Sequence, residues 1–237
     1  MSIHGILGEQ TTDYPTEYSP ETLYPIARSM GRNAIGWQDD KLTVGVDWWQ
    51  AFEISWLNPQ GISQVAIARF SIPASSPSIV ESKSLKLYLN SINFTEFASW
   101  NDVQALFGLN DDLNGNETEL LIAQPEGVCI DEALAGNTDK VALTEHPDAS
   151  LLSASEEIEA SSRSVANEGM QPYTFYSNLL RSNCPVTNQP DWGTLAVSIT
   201  TDKPFNNASM LRYILSFRQH NGFHEQCVEQ IFADLSQ

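Results

Sequence analysis

The side chains best suited to chemistry in this 237-residue chain are three cysteines and a few carboxylates and histidines beside turn-forming residues. Cys184 sits in RSNCPVTNQPDWG, followed by Pro185, with Asp191 seven residues on between Pro190 and Trp192. A thiol in an irregular polar loop is a better nucleophile candidate than one on a helix face, because reactivity follows thiolate character and access. The plain alternative, a small buried side chain, weighs equally, since free cysteine is among the most buried residue types. Cys227 falls on an apolar helical stripe and reads as core, while Cys129 in GVCIDE carries no signal. His224 and Cys227 are three apart and could begin a metal site, but zinc needs three or four convergent ligands. Cys184, His220 and Cys129 are the available additions, without any C-x-x-C pair, so no metal is expected.

Glu225, next to His224, has two readings. It can complement the positive end of a helix, or accept adjacent N–H protons from a purine-like base. Glu81, Ser82, Lys83 and Lys86 read either as an ordinary solvated helix start or as a local anion site, since two of the chain's 12 cations fall within four residues there. Neither G-x-G-x-x-G nor G-x-x-x-x-G-K-[ST] occurs, so a nucleotide, if bound, is held without the Rossmann or P-loop fingerprint.

These groups need elements to hold them. Residues 1–48 are rich in Tyr, Pro, Gly and Asp and read as an arm with short helical pieces at most. In QAFEISWL the alternation puts Phe52, Ile54 and Trp56 on one face; NPQG turns the chain, and SQVAIARFSI sets Val65, Ile67 and Arg69 against Ala66, Ala68 and Phe70. Together they predict an antiparallel hairpin. A helix is expected from about Glu81, and a second one after Ser99, an N-cap candidate followed by Asp102. Residues 107–170 are acidic and rich in Gly, Asn and Ser, which reads as a linker or excursion. From Pro172 the order repeats: PYTFYSNLLRSNC, a strand through Leu195, Val197 and Ile199, then two helices separated at Asn221-Gly222, with His224 and Glu225 in the first turn of the last. Three segments follow: a first module with its arm at 1–106, the excursion at 107–170 and a second module at 171–237.

Twelve cations against 30 carboxylates give a net charge of −18, which argues against a nucleic-acid partner. Hydrophobic residues at 41% are too many for a disordered chain. No apolar run reaches membrane-spanning length, MSIHGILGEQ lacks the pattern of a secretory signal, and an odd, uneven set of cysteines is no disulfide framework. The expected compartment is the cytoplasm.

FEISWLNPQGISQVAIA (52–68), IVESKSLKLYLNSIN (79–93), SNCPVTNQPDWG (182–193) and LRYILSFRQHNGFHEQCVEQIFADL (211–235) resemble, in order, the NADPH-dependent 7-cyano-7-deazaguanine reductases, the nitrile reductases of queuosine biosynthesis, in their longer two-module form. The resemblance implies an α+β fold of tandem tunnelling-fold (T-fold) modules, each an antiparallel sheet with a pair of helices on one face. It implies that Cys184 attacks the nitrile carbon of 7-cyano-7-deazaguanine to give a covalent thioimide, that Asp191 donates a proton and that His224 assists. Two NADPH molecules then supply the hydrides that yield the 7-aminomethyl product. Val80, Glu81 and Ser82 match a substrate-contacting stretch, His224 and Glu225 the pair that reads the base, and Ser82 and Lys83 part of the NADPH site. Because these positions come from different modules, both halves, and a homodimer or higher homo-oligomer, are expected to build the site.

The sequence departs from the family pattern in two places. The family continues after its last helix with a strand and an Arg-Gly segment at the cofactor, without counterpart before Gln237. It also completes a helix and adds a strand where WNDVQAL (100–106) here runs into FGLNDD (107–112), so residues are expected to be missing between Leu106 and Phe107. Two other readings stay open: a metal-dependent purine or pterin enzyme of the same fold, and a deazaguanine-binding protein without hydride transfer.

Overall fold

The structure is a computed structural model and describes residues 14–36, 40–106, 125–135, 146–153, 171–201 and 206–236. The Leu106 to Phe107 junction lies outside the described residues. The chain divides into two compact units, residues 1–121 and 122–235.

In the first unit, β1 (Pro25–Ala27) leads into α1 (Arg28–Ile35), so the arm holds a short strand and a two-turn helix. β2 (Val46–Leu57) and β3 (Ser63–Pro73) form the expected antiparallel hairpin. Its turn is set by Asn58, whose Oδ1 accepts from the N–H groups of Gln60 (3.0 Å) and Ile62 (2.9 Å), and by Gly61 at φ +72°. β4 (Ser78–Val80) pairs with β1, and α2 (Ser82–Ser91) and α3 (Trp100–Leu106) follow. Ser99 caps α3 as its sequence predicts: its hydroxyl accepts from the Asp102 N–H at 3.3 Å and donates to the Asp102 carboxylate at 2.8 Å. The core joins Ala51, Ile54 and Trp56 of β2 to Tyr88, Leu89 and Ile92 at and just beyond the end of α2, and to Val103 of α3. Arg28, 4% exposed, is anchored to β2 by an ion pair with Asp47.

The expected alternation fails at one point. Ala51 pairs with Ala68 and Ile54 with Ala66, so β2 carries one extra residue, a β-bulge. The bulge resets the phase of the strand: Ala51, Ile54 and Trp56 are buried, while Phe52 points outward and is 58% exposed. Phe52 therefore does not share a face with Ile54 and Trp56. Period-two counting cannot see an inserted residue.

The second unit repeats the plan. β6 (Gln171–Asn183) and β7 (Pro190–Thr201) are antiparallel, with β5 (Val128–Cys129) joining β6 in parallel. α5 (Asn207–Ser216) and α6 (His224–Leu235) follow, joined through a 3-10 turn, Phe217–Gln219. Within the stretch read as an excursion, the described parts belong to this unit: Ile130 is 1% exposed in its core, and Leu151 and Leu152 of α4 (Ser150–Ser153) pack against it. Two such short apolar pieces do not stand out from an acidic, Gly-rich background.

β6 is bulged like β2, with Ser177 opposite Leu195 and Leu180 opposite Gly193. The displaced N–H groups find side-chain acceptors. Asn178 donates its N–H to the Asp131 carboxylate (3.2 Å) and Leu179 donates to Ser177 Oγ (3.2 Å), while the Ser177 hydroxyl donates to Asp131 (2.6 Å). In each unit the strand runs four residues past the bulge, Ile54 to Leu57 and Leu180 to Asn183. There its last residue bonds the segment between the helices: Leu57 N–H to Thr95 O and Phe97 N–H to Leu57 O (both 2.9 Å), Asn183 N–H to His220 O (2.8 Å) and Gly222 N–H to Asn183 O (3.1 Å). The chain is thus a mixed α+β protein whose two units share one order of hairpin, helix and helix.

Asp131→Ala leaves the fully buried Ser177 hydroxyl and the bulge N–H of Asn178 without their acceptor. It is expected to lower unfolding free energy in urea titrations by roughly 1–3 kcal/mol.

Candidate active site

Cys184 is the first residue beyond β6 and is 7% exposed. The turn it opens is closed by two main-chain bonds, Cys184 N–H to Gln189 O and Asn188 N–H to Cys184 O, both 2.8 Å. Asn183 pairs with Pro190 and Ser182 with Asp191, so Asp191 lies across the ladder from the residue two before Cys184. Asp191 and Gly193 share one face of β7 by strand alternation. His224 rests on that face: a Cβ at Gly193 would meet the His224 Cε1 at 3.8 Å. That distance is ordinary van der Waals contact, so the imidazole lies close against the strand at 193. Cys184, Asp191, His224 and Glu225 are therefore gathered at one end of the second hairpin by the turn, the ladder and the first turn of α6.

Under that end lies a small buried layer. Ser182, 2% exposed, donates to Gly222 O at 3.4 Å, and the Cys227 thiol reaches the same carbonyl at 3.8 Å. Gly222 packs so closely that an added Cβ would lie 2.6 Å from His220 Nε2 and 3.4 Å from Cys227 Sγ. Cys227 is core, as its helical stripe predicts, and 1% exposed.

The other set of candidates is contiguous in the first unit, where β4 runs into α2. Val80 is half-buried at the end of β4 and Ser82 is exposed at the first position of α2, with Lys83 half-buried next to it. Glu81 is not part of a solvated helix start. It is 4% exposed and is the N-cap of α2, its carboxylate accepting from the N–H groups of Lys83 (3.1 Å) and Ser84 (2.6 Å). Capping by a carboxylate satisfies two donors and places negative charge at the positive end of the helix. Among the described residues no three His, Cys, Asp or Glu side chains converge as a metal site would require.

Comparison with known proteins identifies the family. Residues 14–121 match the model of a family described as nitrile reductase, 7-cyano-7-deazaguanine-reductase N-term, and residues 190–237 match one described as QueF-like protein. A protein of Psychrobacter cryohalolentis named NADPH-dependent 7-cyano-7-deazaguanine reductase is 73% identical over 250 aligned positions, covering 100% of this chain and 86% of the relative. The chain belongs to the 7-cyano-7-deazaguanine reductase family. Relatives with the same name from Psychrobacter arcticus and Acinetobacter baumannii are 70% and 47% identical, again over 100% of this chain and over 86% and 85% of their own lengths. The alignment with the first is longer than the 237 residues here, so that relative carries internal residues without counterpart in this chain.

The reductase-family matches fall on both groups of candidates. Val80, Glu81, Ser82 and Lys83 lie in the first matched segment, and Asp191, His224 and Glu225 in the second, six residues after Cys184. Sequence reasoning passed over Ser182, Gly193 and Gly222, which lie against His224 or pack beneath the site. Serine and glycine carry no signal of their own until the register sets them opposite Asp191 and against His224.

The Cys227 thiol is perturbed by its surroundings. Burial raises the Cys227 thiol; the hydrogen bond from Ser182 opposes the rise, and the Glu225 and Asp191 carboxylates add to it, leaving the thiol at about 11. It stays protonated at neutral pH and is no nucleophile. The folded state keeps this proton where the unfolded chain, at its ordinary value of 9.0, has lost it. Its contribution to stability is full below pH 9 and is lost as pH rises through about 11. Urea titrations across that range are expected to show the unmodified chain losing up to roughly 2–3 kcal/mol more than Cys227→Ala. Equal losses would remove the assignment.

Proposed function

We propose that this chain catalyses the NADPH-dependent reduction of 7-cyano-7-deazaguanine to 7-aminomethyl-7-deazaguanine, a step of queuosine biosynthesis, through a thioimide on Cys184. The similarity over the whole chain supports the activity. The gathering of Cys184, Asp191 and His224 at one hairpin end supports the chemistry and carries the reading.

In this mechanism the Cys184 sulfur adds to the nitrile carbon while the nitrile nitrogen takes a proton, so a C–S bond forms as one C–N π bond is lost. Asp191 delivers that proton and His224 assists its transfer. His224 and Glu225 read the base: a carboxylate suits adjacent N–H donors, which would be costly to bury unpaired. Val80, Glu81 and Ser82 contact the substrate. Since both Glu81 oxygens already accept from α2, its part is to shape the stretch through the cap as much as to touch the ligand.

NADPH, when bound, would supply the two hydrides, one from each of two molecules, and with two protons these account for the amine and the freed thiol. Ser82 and Lys83 are the residues that would hold it. They fit an anionic group through the side-chain hydroxyl and ammonium, because the Lys83 and Ser84 N–H groups of the helix end already bond Glu81.

The fold reading goes with this function: tandem T-fold modules, one in each of the two units, assembled as a homodimer or larger homo-oligomer in the cytoplasm. The matching hairpin-helix-helix order of the two units supports the tandem plan. The outward face of β2 and β3 supports assembly, since Val46, Trp48, Phe52, Val65 and Ile67 are all 45% exposed or more. No helix among the described residues is long and apolar enough to cross a membrane.

Intact mass measured after mixing the protein with 7-cyano-7-deazaguanine in the absence of NADPH is expected to show an adduct one ligand mass heavier, and Cys184→Ala to abolish it. Reversible binding without an adduct would instead favour a binding protein. Asp191→Asn is expected to lower kcat by about 100-fold or more with little change in base affinity. Equal losses in both would count against its role as proton donor.

A further inference from the structure

The turn that presents Cys184 has one feature that its two main-chain bonds do not explain. Asn188 lies at φ 54°, alone among the described non-glycine residues in having positive φ. Asparagine tolerates this region better than most residues, but a side chain there still needs neighbours to hold it. The neighbour is Asn221, whose Nδ2 donates to Asn188 Oδ1 at 3.0 Å. Asn221 is itself fixed on both sides. It forms a parallel bridge with Asn183, the residue before Cys184, and its flanking residues bond the Asn183 main chain, His220 O accepting at 2.8 Å and Gly222 N–H donating at 3.1 Å. A longer contact of 3.5 Å joins Asn183 Nδ2 to Asn221 Oδ1. Three residues after Asn221 comes His224, the first residue of α6. One amide therefore joins the far side of the Cys184 turn to the segment that launches the helix carrying His224 and Glu225.

We propose that Asn221 is a positioning residue for the attack on the nitrile: through Asn188 it fixes the Cys184 turn relative to His224, and it touches neither substrate nor reacting atoms. The proposal rests on Cys184 being the nucleophile. Displacing a nucleophile by a fraction of an ångström slows attack while leaving binding of the base largely intact.

The test is the time course of adduct formation with 7-cyano-7-deazaguanine, without NADPH, read by intact mass over a range of ligand concentrations. Asn221→Ala is expected to slow the saturated rate by about tenfold, with the half-saturating concentration unchanged. Asn188→Gly keeps the positive φ available and removes only the side-chain link, so it carries the test even if Asn221→Ala fails to fold; it is expected to slow the rate similarly. The double variant is expected to be no slower than either single one, because both break the same link. Multiplicative losses in the double variant, or a rate for Asn188→Gly equal to that of the unmodified chain, would overturn the proposal. An unmodified chain that forms no adduct at all would overturn the reading of Cys184, and the proposal with it.

Discussion

Everything placed at the end of the second hairpin depends on a pair of main-chain hydrogen bonds at one residue. Asn183 donates to His220 O and accepts from the Gly222 N–H, so the last residue of β6 is stitched to the segment before α6. Cys184 is the next residue on one side of the stitch, and His224 stands two residues beyond it on the other. Backbone groups suit this task because their geometry does not depend on rotamers. Gly222 suits this place because a Cβ there would lie 2.6 Å from His220 Nε2, and its carbonyl accepts from the Ser182 hydroxyl.

The same stitch at Leu57 in the first unit holds a different outcome. There the segment from Thr95 to Phe97 is bonded to the hairpin end, and the turn that follows β2 begins with Asn58, which makes hydrogen bonds to its own loop rather than offering a thiol. Conversely, Glu81 caps α2 in the first unit, whereas the matching cap of α5 is Asn206, whose Oδ1 accepts from the N–H groups of Ala208 and Ser209. One plan is thus furnished with two sets of side chains, and the groups suited to chemistry are divided between them.

Much of this was legible in the residues. The hairpins, the cap at Ser99, the start of α2 and the break at Asn221-Gly222 follow from alternation, turn residues and capping, all of which are local. Cys227 was legible as core because its neighbours on the helical stripe are apolar. What could not be read depends on partners distant in sequence. Phe52 appears inward until the register across β3 reveals an extra residue, and Glu81 appears solvated until its oxygens are seen to close the helix end. The pieces at Ile130 and Leu151 to Leu152 are too short to show a period, and only their burial in the second core distinguishes them. The exposed indole of Trp192, with the Arg181 and Arg218 guanidinium groups 5.9 and 5.3 Å from its ring centre, is likewise invisible in a list of residues.

The bulges also bear on how members of this family should be compared. A strand with an extra residue is two half-strands in opposite phase, so its inward positions are odd-numbered before the bulge and even-numbered after it, as Ala51 and Ile54 show. A one-residue gap placed on the wrong side of that point would exchange core for surface along the intervening residues while hardly changing percentage identity. Alignments of distant relatives are therefore best anchored separately on the four residues beyond each bulge, Ile54 to Leu57 and Leu180 to Asn183. Those short segments, not the longer and more apolar runs before them, set which residue stands where Cys184 does.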